Sequence, residues 1–107
     1  MISQEQRLQQ FFKILGDKSK FRIIMHLTKG EVCVCVLSEE LGLEQTLVSH
    51  HLQTLRDAGL IRDRKVGKWV HCSLNKEKFA EIEDLFQKKL SSKYISDKSC
   101  IIHDACR

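Results

Sequence analysis

Residues 45–74 read QTLVSHHLQTLRDAGLIRDRKVGKWVHCSL, and their apolar pattern changes its period partway along. In the first half, Val48, Leu52 and Leu55 recur at i, i+4 and i+7, which is the spacing of one helix face. Gly59 follows them, and glycine commonly ends a helix. This half therefore predicts a helix over residues 45–58.

The second half alternates with a period of two, as a β-strand does. It predicts a strand over residues 61–66, a two-residue turn at Gly67-Lys68 and a returning strand over residues 69–74. The whole stretch thus predicts a helix followed directly by a β-hairpin.

Helical periodicity also precedes and follows this stretch, with Asp17 and Asn75 as candidate N-caps. The residues expected to face inward are Leu8, Phe11, Phe12 and Leu15, then Phe21, Ile24 and Leu27, then Val34, Leu37 and Leu41, and finally Phe79, Ile82, Phe86 and Leu90. The order helix, helix, short helix, turn, helix, hairpin, helix is that of a winged helix-turn-helix, a mainly α fold with a β-hairpin wing. We expect residues 1–91 to form this domain and residues 92–107 to form a cysteine-containing tail.

The composition is typical of one small globular domain. There are 107 residues, 42% of them hydrophobic, with a formal net charge of +4. No apolar run approaches the ~20 residues of a membrane span, and the first residues lack the apolar core of a signal peptide. We therefore expect a cytoplasmic protein without membrane contact, in which the five cysteines are reduced.

The predicted second half of the helix-turn-helix pair has a polar outer face suited to the edges of bases in a DNA major groove. Its candidate DNA-binding residues are Gln45, Thr46, Ser49, His50 and Gln53. The hairpin adds positive charge that could lie along the flanking phosphates near its tip, from Arg62, Arg64, Lys65 and Lys68. Of the two adjacent histidines, we expect His50 to be exposed and His51 to be partly buried, because neighbours on a helix point about 100° apart.

Two other classes of function are less favoured by these features. No Ser/His/Asp or Cys/His arrangement has a supporting local motif, so we expect no enzyme activity. A winged helix used only for protein interaction would not need basic residues at the hairpin tip, and its binding would lack the steep salt dependence of phosphate contacts.

Three segments together resemble the ArsR/SmtB family of metalloregulators: EVCVC at residues 31–35, QTLVSHHLQTLRDAGLI at 45–61 and DRKVGKWVHCSL at 63–74. The Cys-Val-Cys pair is most similar to the arsenic-responsive branch. The resemblance implies a homodimer built from the first and last helices. It also implies a repressor that holds operator double-stranded DNA when metal-free and leaves when an ion binds. Twofold symmetry would then place two reading helices about 34 Å apart.

The candidate ligands for that ion are thiols. Soft thiolates prefer thiophilic ions, and As(III) or Sb(III), the inducers that the resemblance implies, would ideally take three sulfurs. Cys33 and Cys35 offer two, and Cys100 and Cys106 in the tail could supply the third or form a separate site. Residues two apart on a regular helix point about 200° apart, so we expect the helix start to be distorted if one ion holds both Cys33 and Cys35.

Alternatives remain for the signal and for the individual thiols. Cd(II), Pb(II) or Zn(II) could act through mixed Cys and His ligands, and a thiol redox switch could act without metal. Cys33 and Cys35 could instead be small buried apolar residues, and Cys100 and Cys106 could be inert. Cys72 alternates with Val70 and Leu74, so core packing is its favoured role.

Overall fold

The computed structural model describes residues 1–98, which form five helices and a three-stranded sheet. The elements, in chain order, are α1 (Gln4–Leu15), α2 (Lys18–Leu27), β1 (Val32–Cys33), α3 (Val34–Leu41), α4 (Gln45–Asp57), β2 (Ile61–Val66), β3 (Trp69–Leu74) and α5 (Lys76–Leu90). This is the predicted winged helix-turn-helix order, in which α3 and α4 form the helix-turn-helix pair and β2 and β3 form the wing. Among the described helices, none combines the length and apolar character that a bilayer span requires.

Side-chain hydrogen bonds to nearby backbone N–H groups explain where α2 and α5 start. The Oδ2 atom of Asp17 accepts from the Lys20 backbone N–H at 2.9 Å, and Oδ1 of Asn75 accepts from the Lys78 N–H at 3.3 Å. Each bond satisfies a backbone donor that has no partner within its helix. Both predicted caps, Asp17 and Asn75, are confirmed.

The turn between α3 and α4 is stabilised by a glycine in a left-handed conformation and by two hydrogen bonds between Ser38 and Leu43. Gly42 has φ of 66°, a left-handed conformation that glycine adopts without a Cβ clash. The Leu43 backbone N–H then donates to the Ser38 carbonyl at 3.2 Å, while the Ser38 hydroxyl donates to the Leu43 carbonyl at 2.6 Å. These bonds set the direction in which α4 leaves α3.

The sheet has the strand order β1-β3-β2, with both pairings antiparallel. Val66 pairs with Trp69, so Gly67 and Lys68 form the two-residue turn that the sequence predicts. The strand β1 was not predicted, because the segment before α3 reads only as an approach to a helix. It is two residues long and places Cys33 opposite His71 of β3.

The core confirms part of the predicted inward set and corrects the rest. Val48, Leu52 and Leu55 of α4 pack at 0–1% exposure, whereas Phe12 of α1 and Phe21 of α2 are 39% and 44% exposed, and the prediction for both is wrong. The missed residue Ile23 is fully buried, and it turns the inward face of α2 away from Phe21.

The inward face of α5 is also rotated from the predicted stripe. Ile82 and the missed Leu85 are buried, while Phe86 and Leu90 are 43% and 47% exposed. The buried arc is centred between Ile82 and Leu85, which places Phe86 and Leu90 at its margin. The described chain therefore has apolar surface on α5 that its own core does not cover.

Candidate nucleic-acid interface and adjoining thiol pair

The face of α4 opposite the core is polar and exposed. All five residues predicted to read bases from this helix are exposed, namely Gln45, Thr46, Ser49, His50 and Gln53. His51 is half-buried beside His50, as expected, and burial lowers the pKa of its imidazole, so His51 favours the neutral form. The geometry of α4 is compatible with entry of its N-terminal half into a groove.

A chain of hydrogen bonds ties Gln53 and the end of α4 to the wing. The Gln53 amide donates to Asp57 Oδ1 at 2.8 Å, and Arg56 Nη1 donates to Gln53 Oε1 at 2.9 Å. The same guanidinium donates through Nε to Asp63 Oδ2 of β2 at 2.6 Å. Arg56 was not a predicted site residue, although its position three residues after Gln53 on the same face was a usable signal. Arg56 therefore joins α4 to the wing.

The four predicted wing cations do not form one cluster at the tip. Arg62 Nη2 lies 3.1 Å from Glu77 Oε2 of α5, and Arg64 binds both carboxylate oxygens of Glu31 at 2.6 and 3.1 Å. Both arginines project from one face of β2, because they are two residues apart on a strand. The expectation that Arg62 and Arg64 lie at the tip is therefore wrong.

Lys65 and Lys68 lie nearest to the turn of the wing. Lys65 stands opposite Val70, one pair below the closing pair of the hairpin. The Lys68 ammonium lies 5.1 Å from the centre of the Trp69 ring, within cation–π range. Trp69 itself is 49% exposed. The tip thus presents two ammonium groups and an aromatic ring.

The Sγ atoms of Cys33 and Cys35 lie 2.9 Å apart. The 200° separation expected for two residues of one regular helix does not apply to this pair, because α3 begins only at Val34. Cys33 is the extended N-cap residue, with φ of −70° and ψ of 140°, and Cys35 lies in the first helical turn. The two thiols converge without any unwinding of the helix.

The environments of the cysteines give them different acidities. The hydrogen bond from the Cys35 thiol lowers the pKa of Cys33, and the backbone N–H groups of Cys35 and Val36 act in the same direction. The same contact raises the pKa of Cys35, so Cys33 ionises first. Burial raises the pKa of the Cys72 thiol to about 11, and its side chain is 0% exposed. The predicted core role of Cys72 is confirmed.

The thiol pair and the polar outer face of α4 share one cleft. This cleft, of about 670 Å³, lies between the start of α3, the outer face of α4 and the wing. Its walls include Cys33 and Cys35 together with Gln45, Ser49, Gln53 and Lys68. Any ion held by the two thiols would therefore stand next to residues placed to meet DNA.

A third ligand is not supplied by the part of the chain that the structure describes. Within residues 1–98, no group of three or more His, Cys, Asp or Glu side chains could hold a metal ion. The Ser38 hydroxyl lies one turn after Cys35 but donates to the Leu43 carbonyl. Cys100 and Cys106, the other predicted ligands, lie outside the described residues.

The helices α1 and α5, expected to form the dimer interface, pack together and leave apolar side chains exposed. The rings of Phe12 and Phe86 meet edge to face with centroids 6.1 Å apart, and both are partly exposed, at 39% and 43%. Arg7 and Glu81 join the two helices by an ion pair of 2.8 Å. This surface is compatible with the expected interface.

Comparison of the sequence with known proteins finds matches to one family of bacterial regulators. Residues 17–63 match the arsR family of bacterial regulatory proteins. The chain is 48% identical over 67 residues to the arsenical resistance operon repressor of Escherichia coli K12, covering 62% of this chain and 57% of that protein. It is 35% identical over 85 residues to the protein of that name from Bacillus subtilis 168, covering 78% of each. Of the first three curated relatives it matches, the chain spans only 52–57% of the length.

The fold is likewise shared with a solved structure. HlyU from Vibrio cholerae N16961 superposes with a TM-score of 0.68 at 30% identity, over 83% of this chain and 98% of that one. The matched family consists of regulatory proteins, which agrees with the expectation that the chain is not an enzyme.

Proposed function

Because this chain belongs to the arsR family of bacterial regulatory proteins, we propose that it is a metalloid-responsive repressor. It binds operator double-stranded DNA as a homodimer while its thiols are free, and it dissociates when As(III) or Sb(III) binds Cys33 and Cys35. Residues 1–91 are the DNA-binding and dimerisation domain. The segment of residues 92–107 carries Cys100 and Cys106, either of which can supply a third thiolate.

The observation that carries this proposal is the position of the thiol pair. The two sulfurs lie 2.9 Å apart, close enough for one ion to bind both after a small movement, and the lowered pKa of Cys33 favours the thiolate that binds soft ions. The pair opens into the cleft lined by Gln45, Ser49 and Gln53 of α4. Sensing and DNA reading would thus occur on two walls of one cleft.

DNA binding follows from the shape and charge of α4 and the wing. The N-terminal half of α4 enters the major groove, where Gln45 can pair with adenine and Ser49 with either type of base. Gln53 lies further along α4 and reaches a base only after its amide leaves Arg56 and Asp57. Lys65 and Lys68 at the wing tip contact the flanking phosphates and add affinity that depends on salt. Operator specificity therefore comes from α4 and much of the binding strength from the wing.

Release would follow from a change in the spacing of the sulfurs. An ion with zinc-like bonds of about 2.3 Å to each of two sulfurs holds them roughly 3.5–4 Å apart. The thiols must therefore separate from their 2.9 Å contact when the ion enters. Cys33 and Cys35 belong to different elements, so an ion that bridges them couples β1 to the first turn of α3, and we infer that β1 shifts. The angle between α4 and the wing changes as a consequence, and the fit to DNA is lost.

The test is a titration of the fully reduced, full-length protein with arsenite on a fluorescently labelled operator, followed by anisotropy. We expect the Cys33→Ser and Cys35→Ser variants to bind the operator like the wild type and to stay bound when arsenite is added. Cys72→Ala is the matched control, because Cys72 is buried in the core and does not line the cleft, and it should still release DNA. The variants Cys100→Ser and Cys106→Ser show whether a tail thiolate is the third ligand.

The same titration separates the possible inducers. Release by Cd(II), Pb(II) or Zn(II) at lower concentration than arsenite would assign a divalent inducer, and release by peroxide that reductant reverses would assign a redox signal. A double Cys33→Ser, Cys35→Ser protein that still leaves the operator on arsenite addition would overturn the proposed sensor site.

A further inference from the structure

The strand that carries Cys33 is attached to the wing at two points. Within the sheet, β1 pairs with β3, where Cys33 stands opposite His71. Beyond β3, Glu31 accepts two hydrogen bonds from the Arg64 guanidinium on β2, at 2.6 and 3.1 Å. The His71 Nδ1 atom lies 3.4 Å from the same carboxylate. Glu31 therefore reaches across the central strand to the outer strand of the wing.

The residue of the wing that precedes Arg64 is attached to α4. Asp63 precedes Arg64, so the two side chains project from opposite faces of β2. Asp63 accepts from Arg56 of α4 at 2.6 Å. Neighbouring positions of one strand thus hold the segment that carries Cys33 on one side and the helix that faces DNA on the other.

We propose that Glu31 is a positioning residue that transmits ion binding at the thiols to the wing, and through Asp63 and Arg56 to α4. The proposal rests on the function proposed above and specifies how the signal travels. When the ion separates Cys33 from Cys35, the short strand β1 shifts. Glu31, two residues before Cys33, moves with it and draws Arg64 and β2 along.

The geometry also supplies a control. Arg62 lies on the same face of β2 as Arg64, and its partner is Glu77 in the first turn of α5 rather than the segment before β1. Glu31 and Glu77 therefore each hold one wing arginine by an exposed ion pair, but only Glu31 is linked to a thiol. Exposed ion pairs contribute little to folding stability, so loss of either one should leave the fold intact.

The experiment compares Glu31→Gln with Glu77→Gln in the full-length protein. Arsenite binding is measured on the DNA-free protein by the ultraviolet absorbance of the thiolate complex, and operator binding is measured by anisotropy with and without saturating arsenite. We expect both variants to bind arsenite, and separately DNA, within about fivefold of the wild type. In Glu31→Gln the factor by which arsenite weakens DNA binding should fall about tenfold, whereas in Glu77→Gln it should be unchanged.

A charge exchange provides a second readout. The double variant Glu31→Arg, Arg64→Glu restores an ion pair at the same place. We expect arsenite to weaken its DNA binding by nearly the same factor as in the wild type. If arsenite weakens DNA binding by the same factor in Glu31→Gln as in the wild type, the transmission role is refuted. It is also refuted if Glu31→Gln and Glu77→Gln reduce that factor equally. That result is distinct from a failure of the proposed function, in which the wild type itself shows no release.

Discussion

The thiol of Cys35 lies 2.9 Å from that of Cys33, on the other side of the boundary between β1 and α3. One residue is held by strand pairing and the other by the helix. The two thiols are therefore close enough to bind one ion together, and the distance between them depends on the relative position of these two elements. Both properties follow from a helix start that falls between the two cysteines.

We predict that alkylation of the native, reduced protein will distinguish these thiols. Because the pKa of Cys33 is lowered, its thiolate is populated at lower pH than that of an ordinary cysteine, and its reaction with iodoacetamide should begin at lower pH than that of Cys35. Cys72, with a pKa raised to about 11 and no exposed surface, should react only after unfolding. Peptide mass spectrometry over a pH series measures each rate. Labelling of native Cys72 as fast as Cys33 would contradict the described packing.

The wing cations should contribute unequally to DNA binding. Lys68→Gln removes a tip charge, so we expect the slope of log affinity against log salt concentration to fall by about one per subunit. Arg62→Gln is the comparison, because the Arg62 guanidinium is already paired with Glu77, and its effect on the slope should be smaller. Anisotropy titrations between low and moderate salt measure both. Equal slopes for the two variants would show that Arg62 leaves Glu77 when DNA binds.

The exposed apolar edge of α1 and α5 should be needed for dimerisation. We expect Phe86→Glu to dissociate the dimer, since it places a charge beside Phe12 in the proposed interface. Phe21→Glu is matched in residue type and exposure, at 44% against 43%, but lies on α2, and it should leave the dimer intact. Sedimentation velocity gives the oligomeric state. A monomeric Phe21→Glu variant together with a dimeric Phe86→Glu variant would move the interface to α2.

The cap of α2 should make a pH-dependent contribution to stability. Asp17→Ala removes the bond to the Lys20 backbone N–H and should lower the free energy of unfolding by about 1 kcal/mol at neutral pH. That backbone bond lowers the pKa of Asp17 in the folded state. Its stabilisation is therefore complete above the unfolded-state pKa of about 4 and is lost as pH falls through the lower folded-state pKa.

Asp17→Asn provides the control for this pH dependence, because asparagine caps a helix about as well but does not ionise in this range. Urea unfolding at pH 7 and pH 3 checks the prediction. The stability gap between Asp17→Ala and the wild type should narrow at the lower pH, while Asp17→Asn should lack this contribution to the pH dependence. A gap that widened on acidification would contradict the assignment.

Much of the fold could be predicted because its signals are local. The caps Asp17 and Asn75, the turn at Gly67 and the change of period after Gly59 each depend on residues within a few positions of one another. The exposed polar residues of α4 follow from the same periodicity, since Val48, Leu52 and Leu55 fix the buried side. Predictions failed where a face was defined by neighbouring helices, as for Phe21 and for the rotated face of α5.

The sequence alone determined the order of elements, the polar face of α4 and the presence of two cysteines at the start of the helix-turn-helix. The tertiary structure alone decided that β1 pairs with β3, that α3 starts between Cys33 and Cys35, and that Arg64 turns to Glu31 rather than to the wing tip. The physical reason is the separation along the chain between the residues that interact. Caps, glycine turns and periodic faces are set by neighbours along the chain, whereas β1 and the two wing ion pairs exist only when distant segments lie in register.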